Sequence, residues 1–469
     1  MTNNGAPPDK TNVQGLILRG YTHPYSCHML FSFPNQEQNS SLDTKTFFKT
    51  LYPLVQSAED WGPQKPAKML NIGLTYNGIQ ALKVMSTSCL AAFPNEFQVG
   101  PWSQGSQSSL GDNGNSAVGD WWYGNFRNED LHCVVHAYGL TQPDLSELSS
   151  CVTDAAKSCG LRELFALKGN QERLTQYQLP NDEIHFGYRD GISEPDLGWG
   201  GATPNQSDLN NFLIGYPNGS IIQPGPSDPK AGAAASFAKD GCYNAFRIIY
   251  QDVAAFNTLV EQQAEEWAHT IGRSREQAQE WVAAKLMGRW RNGSPLMLSP
   301  EAPSPITKDG EDFGYKDIES GYKCPFSAHT RVANPRDEDL FPAEGSFGPP
   351  RIIRRGMPYG PPLVDSTTDD GVDRGLIGLF LCGSPAQQFE KLYSWINTNN
   401  FSRVFYYKAY PQDAVLGNRT TGNTVNSFII PRRENDITPI PALPPFLVTR
   451  GTAYCLLPSL SSIRLISGL

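Results

Sequence analysis

Residues 131–160 read LHCVVHAYGLTQPDLSELSSCVTDAAKSCG, and the period changes inside that stretch. Leu131 to Tyr138 is a short run rich in apolar and β-branched residues, which predicts a strand. Asp144 to Ser158 predicts a helix, with Asp144 as its N-cap and Gly160 just past its C-terminus as the C′ residue. Upstream, Leu16 to Leu18 and Cys27 to Phe33 predict strands. Ser41 to Ser57 predicts a helix, because Phe47, Phe48, Leu51 and Leu54 fall at three- and four-residue steps. Leu70 to Tyr76 predicts another strand and Ile79 to Val84 a short helix. Ala92 to Gly124, rich in Gly, Ser, Asn and Trp, predicts a long loop. This order is that of an α+β domain, an antiparallel sheet with helices packed on it.

Downstream the order recurs. Residues 198–240 are rich in Gly, Pro, Asn and Ser and read as a loop or crossing. Tyr243 to Tyr250 predicts a strand, Val253 to Trp267 and Ser274 to Met287 helices, and Gly375 to Gly383 an almost continuously apolar strand. Pro385 to Thr398 predicts a helix and Thr452 to Leu457 a last strand. The division expected is an N-terminal domain over 1–200, a crossing over 201–240 and a C-terminal domain over 241–469.

The chain has 469 residues, 39% hydrophobic and 18% charged, enough for a large core and two or three domains. With 38 Lys and Arg against 47 Asp and Glu, the net charge of −9 argues against nucleic acid or an anionic membrane as partner. Nine scattered cysteines with no C-x-x-C pair read as reduced, mostly buried thiols. The polar opening MTNNGAPPDKTNVQG has no apolar core of a secretory signal, and no run is long enough to span a membrane. A cytoplasmic protein, monomer or homodimer, is the expectation.

Chemistry concentrates in two stretches. Lys323 to Gly360 carries one histidine, His329, followed by Arg331, Asn334 and Arg336, and then Arg354 and Arg355 beside Ile352 and Ile353. An imidazole among cations suits a flat, anionic, metal-containing group such as haem. On spacing alone the same residues read as a loop with a capping histidine and solvated arginines. The other stretch is His185-Phe-Gly-Tyr-Arg-Asp-Gly-Ile-Ser-Glu-Pro195. His132 and His136, four apart in one strand, would sit roughly 13 Å from one another at about 3.3 Å per residue, and read as packing or surface residues.

Gly187-x-x-Asp190-Gly191 followed by Ile-Ser-x-Pro resembles the signature of the dye-decolourising peroxidases. VQGLILRGY from Val13, GRWRNGSPL from Gly288, SAHTRVANPR from Ser327, IIRRGMPYGP from Ile352 and RGLIGLFLCGSPAQQFE from Arg374 also resemble that family, in its longer form. The resemblance implies two ferredoxin-like α+β domains, with haem b (iron protoporphyrin IX) held mainly by the C-terminal one. It implies His329 as the iron ligand, Asp190 as the acid–base group and Arg354 as the distal cation. It also implies Arg331 as a propionate partner, Glu390 as a carboxylate behind His329, and Leu379 and Phe380 as pocket lining. Hydrogen peroxide would be the oxidant and dyes or phenolic aromatics the donors. Bulky donors would be oxidised at surface residues, with Tyr359 and Trp395 as candidates. The alternative within the same fold is a haem carrier, sensor or iron-release protein with little turnover.

Overall fold

The computed structural model describes residues 8–34, 44–169, 172–195, 197, 209, 211–216, 226, 232–306, 312–316, 320–341, 348–403, 412–419, 427–433 and 436–469. Most of the expected crossing at 201–240 and the expected helix start at Ser41 lie outside them.

Twelve strands are described: β1 Tyr25–Ser32, β2 Lys68–Leu74, β3 Cys133–Gly139, β4 Arg162–Leu164, β5 Leu174–Tyr177, β6 Cys242–Gln251, β7 Ile353–Arg354, β8 Met357–Tyr359, β9 Gly375–Cys382, β10 Phe428–Arg433, β11 Asp436–Ile440 and β12 Leu447–Leu457. The helices that matter here are α1 Thr44–Leu51, α2 Gln142–Ser158, α3 Val253–Trp267, α4 Arg275–Met287, α5 Lys391–Thr398 and α6 Leu460–Ser467.

Ten strands make one sheet in the order β4-β1-β3-β2-β12-β6-β9-β7, with β5 also on β1 and β8 also on β9. All of its pairings are antiparallel. In each half the strand that comes last in sequence lies beside the first, and the third separates the first from the second. This is a βαββαβ arrangement made twice, β1 to β5 and then β6 to β12. The halves meet where Leu456 of β12 pairs with Leu74 of β2.

The outer ends of the sheet also meet. Gln176 of β5 donates to the carbonyls of Met357 and Ile377, and the Tyr177 hydroxyl donates to Gly360 O at 2.6 Å. The sheet therefore curls into a barrel closed at one seam by side chains. Its interior is filled from all sides by Leu30, Met69, Val134, Leu174, Phe246, Leu379, Leu381 and Cys455. The outer face is covered by helices. Phe47, Phe48 and Leu51 of α1 and Leu145, Leu148 and Val152 of α2 pack there with Ile463 and Ile466 of α6.

Several expected elements shift for local reasons. Helix α2 begins at Gln142 because Thr141 caps it. Thr141 Oγ1 accepts from Asp144 N, and Thr141 N donates back to the Asp144 carboxylate at 3.1 Å. Asp144 is thus the third residue of the helix and closes the capping box, and Gly160 follows the helix with φ +72°. Leu16 to Leu18 is a helical turn, not a strand. The expected loop over Ala92 to Gly124 contains the helices Asn95–Val99 and Gln104–Leu110. Pro385 to Glu390 is a wide helical turn that runs into α5. All nine cysteines are free. Among the described residues, no helix is long and apolar enough to cross a membrane.

Candidate active site

His329 opens a five-residue helix, His329–Ala333. Its Nδ1 lies 2.8 Å from Asp413 Oδ2, and the Asp413 side chain is fully buried. Asp413 cannot swing, because its Oδ1 accepts from Val415 N and Leu416 N, both at 2.8 Å. Ala414 N donates to Ser327 O, which ties this turn to the histidine's own segment. With Nδ1 committed to a carboxylate, the lone pair is left on Nε2. Among the described residues no hydrogen bond reaches Nε2, and the ring lines a large cavity.

Asp190 and Arg354 line the same cavity. The turn that carries Asp190 needs left-handed backbone on both sides, with Gly187 at φ +79° and Gly191 at φ +74°, as only glycine adopts readily. Arg354 stands on β7 opposite Phe380 of β9, so both side chains share one face. Its Nη1 donates to Asp190 Oδ1 at 3.1 Å, and its Nη2 donates to Ile192 O at 2.9 Å. Glu194 fixes the guanidinium from behind, accepting from Arg354 Nε at 3.0 Å and from Arg354 N at 3.1 Å. Burial opposes the Arg354 charge, but the Asp190 and Glu194 carboxylates outweigh it and raise the guanidinium pKa. Arg355 points elsewhere, donating to Leu16 O and Arg354 O.

The cavity holds about 1850 Å³ of non-atom space, its mouth included. Its wall combines apolar Ile249, Leu376, Phe380, Leu392 and Ile396 with the basic side chains Arg289, Arg336 and Arg351. Among the described residues no group of three or more His, Cys, Asp or Glu could hold a metal ion. A broad apolar slot with one available imidazole and cations on its wall fits haem.

Four expectations meet a different geometry. Arg331 is fully buried and does not line the cavity; it donates to Glu338 Oε2 at 2.9 Å and Cys324 O at 3.0 Å, between the rings of Phe326 and Tyr315. Two residues along a helix is about 200° of rotation, so Arg331 faces away from the side shared by His329, Ala333 and Asn334. Glu390 does not meet His329. It accepts from the Tyr454 hydroxyl at 2.8 Å, and burial raises its pKa. Leu379 faces the barrel interior, as strand alternation demands once Phe380 faces the cavity. Tyr359 and Trp395 are not surface residues, each being 2% exposed. Trp395 stacks on Phe401, while Tyr359 donates to Asp373 Oδ1 at 2.9 Å. The other oxygen of Asp373 accepts from half-buried Tyr123 at 2.7 Å.

Asp413, Glu194 and Tyr123 were not singled out from sequence. Glu194 had a signal, lying inside the Asp190 motif. Asp413 is 84 residues from His329, and nothing local marks it as the partner. His185, half-buried, places Nε2 2.8 Å from Tyr359 O, and His132 Nδ1 accepts from Phe33 N at 2.8 Å, so both serve the scaffold.

No family model matches the chain. It is similar over nearly its whole length to curated peroxidases. Peroxidase 2 of Mycetinis scorodonius is 28% identical, covering 97% of this chain and 86% of the relative. The dye-decolorizing peroxidase of Mycena epipterygia is 28% identical over 98% and 87%. Among solved structures, an ancestral D-type dye decolorizing peroxidase superimposes with a TM-score of 0.80 at 24% identity, covering 98% of this chain and 99% of that one. A dye-decolorizing peroxidase in complex with 2,6-dimethoxyphenol gives 0.75 at 23%, over 98% and 100%. These structures share the fold.

Proposed function

We propose that this chain, whose curated homologues are dye-decolorizing peroxidases, is a haem b peroxidase that reduces hydrogen peroxide and oxidises dyes and phenolic donors. The observation that carries this reading is that one cavity is lined both by an imidazole oriented through a buried carboxylate and by a carboxylate paired with an arginine.

Haem, when bound, supplies the redox iron at which peroxide is reduced. His329 Nε2 would be its ligand, with the ring oriented through Nδ1 by Asp413. Arg289, Arg336 and Arg351 are the wall cations suited to the propionates, in place of Arg331. Asp190 Oδ1 is held by Arg354, and among the described residues no hydrogen bond reaches Oδ2. That oxygen takes the proton from one peroxide oxygen and returns it to the other, which leaves as water. Arg354 stabilises negative charge on the departing oxygen. Glu194 keeps the guanidinium from collapsing onto Asp190 alone.

The test is oxidation of a phenol and a bulky dye by haem-loaded protein with peroxide. Turnover of neither, with haem stoichiometrically bound, would favour the carrier reading.

Asp413→Asn is expected to weaken haem binding about 10–100-fold, because the partner that orients and polarises His329 is lost. Haem titration checks this, and an unchanged affinity would remove Asp413 from the site. Donors too large for the cavity would be served through Tyr359, Asp373 and half-buried Tyr123. Tyr123→Phe and Tyr359→Phe should each reduce turnover of a bulky dye while a small phenol is consumed at nearly the wild-type rate. Equal loss for both donors would indicate damage to the cavity instead.

A further inference from the structure

The seam of the barrel carries a chain of hydrogen bonds that, with both imidazoles neutral, only one pair of tautomers satisfies. Gln176 Nε2 donates to Met357 O and Ile377 O, so its Oε1 can only accept. His28 Nε2 lies 2.5 Å from that oxygen and must carry a proton. In the neutral ring His28 Nδ1 is then an acceptor, and His136 Nδ1, 2.9 Å away, must be the donor. His136 Nε2 in turn accepts from Asn244 Nδ2 at 3.5 Å. Both imidazoles are buried, at 1% and 0% exposure. With Asn244 Nδ2 turned toward His136, a proton added to either ring would set two N–H groups against each other.

The chain ends on the strands that build the distal wall. Met357 lies three residues after Arg354, and Ile377 is its partner on β9 and lines the cavity. We propose that His28, His136 and Gln176 position the Arg354–Tyr359 segment, and that this hold lasts only while both imidazoles are neutral.

The surroundings agree. Among the described residues, the titratable rings against the pair are the two imidazoles themselves and Tyr138 of β3, 6.1 Å from His28 between ring centroids. From β1, β2, β5 and β6 they face uncharged Ser26, Asn71, Gln176, Asn244 and Phe246. Arg355, from the link between β7 and β8, acts on Tyr138, the ring beside His28. Burial lowers the His28 pKa to about 4, with the bond to Gln176 opposing, and burial together with His28 pushes His136 well down. The unfolded chain takes up these protons near the reference value of about 6.5. Folded-state values below unfolded ones mean that the contribution is complete above that pH and is lost as pH falls toward 4.

Three measurements test this. None needs peroxide, so they stand or fail apart from the peroxidase reading, although the consequence for Arg354 rests on it. In nitrogen NMR of the histidine-labelled protein at pH 5, His28 should be neutral with its proton on Nε2 and His136 neutral with its proton on Nδ1. A charged ring or the opposite tautomers would overturn the proposal without any variant having to fold. In denaturant unfolding between about pH 6.5 and 4, His28→Gln and His136→Gln should each reduce the pH dependence of the unfolding constant by about tenfold per pH unit, one proton each. Slopes equal to wild type would overturn it. In hydrogen exchange, Gln176→Leu should cut protection of the Arg355 amide, which donates to Leu379 O, about tenfold while amides of β2 and β3 keep theirs. An equal fall everywhere would mean a general structural role and no positioning.

Discussion

Asp190→Asn is expected to slow the reaction with hydrogen peroxide about 10²–10⁴-fold, the usual loss when one acid–base group is removed. Asn keeps the size and the contact with Arg354 but cannot accept a proton. The haem should stay bound, since Asp190 has no part in holding it. Arg354→Leu should slow the same step through a different atom. It removes the charge that stabilises the leaving oxygen, and it leaves Asp190 and Glu194 without the cation they share at 3.1 and 2.9 Å. The two losses should not add, because both act on one bound peroxide. Stopped-flow absorbance of the wild type, both single variants and the double checks this. Wild-type kinetics in Arg354→Leu would remove the arginine from the mechanism, and wild-type kinetics in Asp190→Asn would make Asp190 a turn residue.

His329→Ala should abolish tight haem binding. A ligand that binds only the folded state stabilises it by mass action, about 2.7 kcal/mol at a hundred times its Kd. Wild-type protein should therefore melt higher with haem than without, and His329→Ala should show no such difference. The variant should also be weaker without haem. Asp413 Oδ2 loses its partner inside the protein, and an unsatisfied buried acceptor costs about 1–3 kcal/mol. Retention of stoichiometric haem with an unchanged Soret band would show that another residue is the ligand.

The α+β class and the main strands and helices were legible because they rest on local periodicity. Cys242–Gln251, Gly375–Cys382 and Gln142–Ser158 lie within a few residues of where spacing put them. The barrel closure was not legible. It depends on Gln176 meeting carbonyls 181 and 201 residues away, and no window of sequence carries that. Strands β7 and β8, two and three residues long, are too short to show alternation. At the site, the motifs led to His329, Asp190 and Arg354, which line one cavity. Closeness to His329 in sequence misplaced Arg331, which a helical turn rotates away, and the family resemblance misplaced Glu390, since Asp413 lies behind the imidazole. Treating neighbours on a strand as equivalent misplaced Leu379, because alternation gives the cavity to Phe380 alone. Aromatic identity without burial made Tyr359 and Trp395 into surface residues.

The most direct test is the absorption spectrum of the haem-reconstituted protein before and after one equivalent of hydrogen peroxide. One haem per chain is expected, with a Soret band that changes within the mixing time and returns when a phenolic donor is added. A Soret band that peroxide leaves unmoved, or a protein that takes up no haem, would contradict the peroxidase reading.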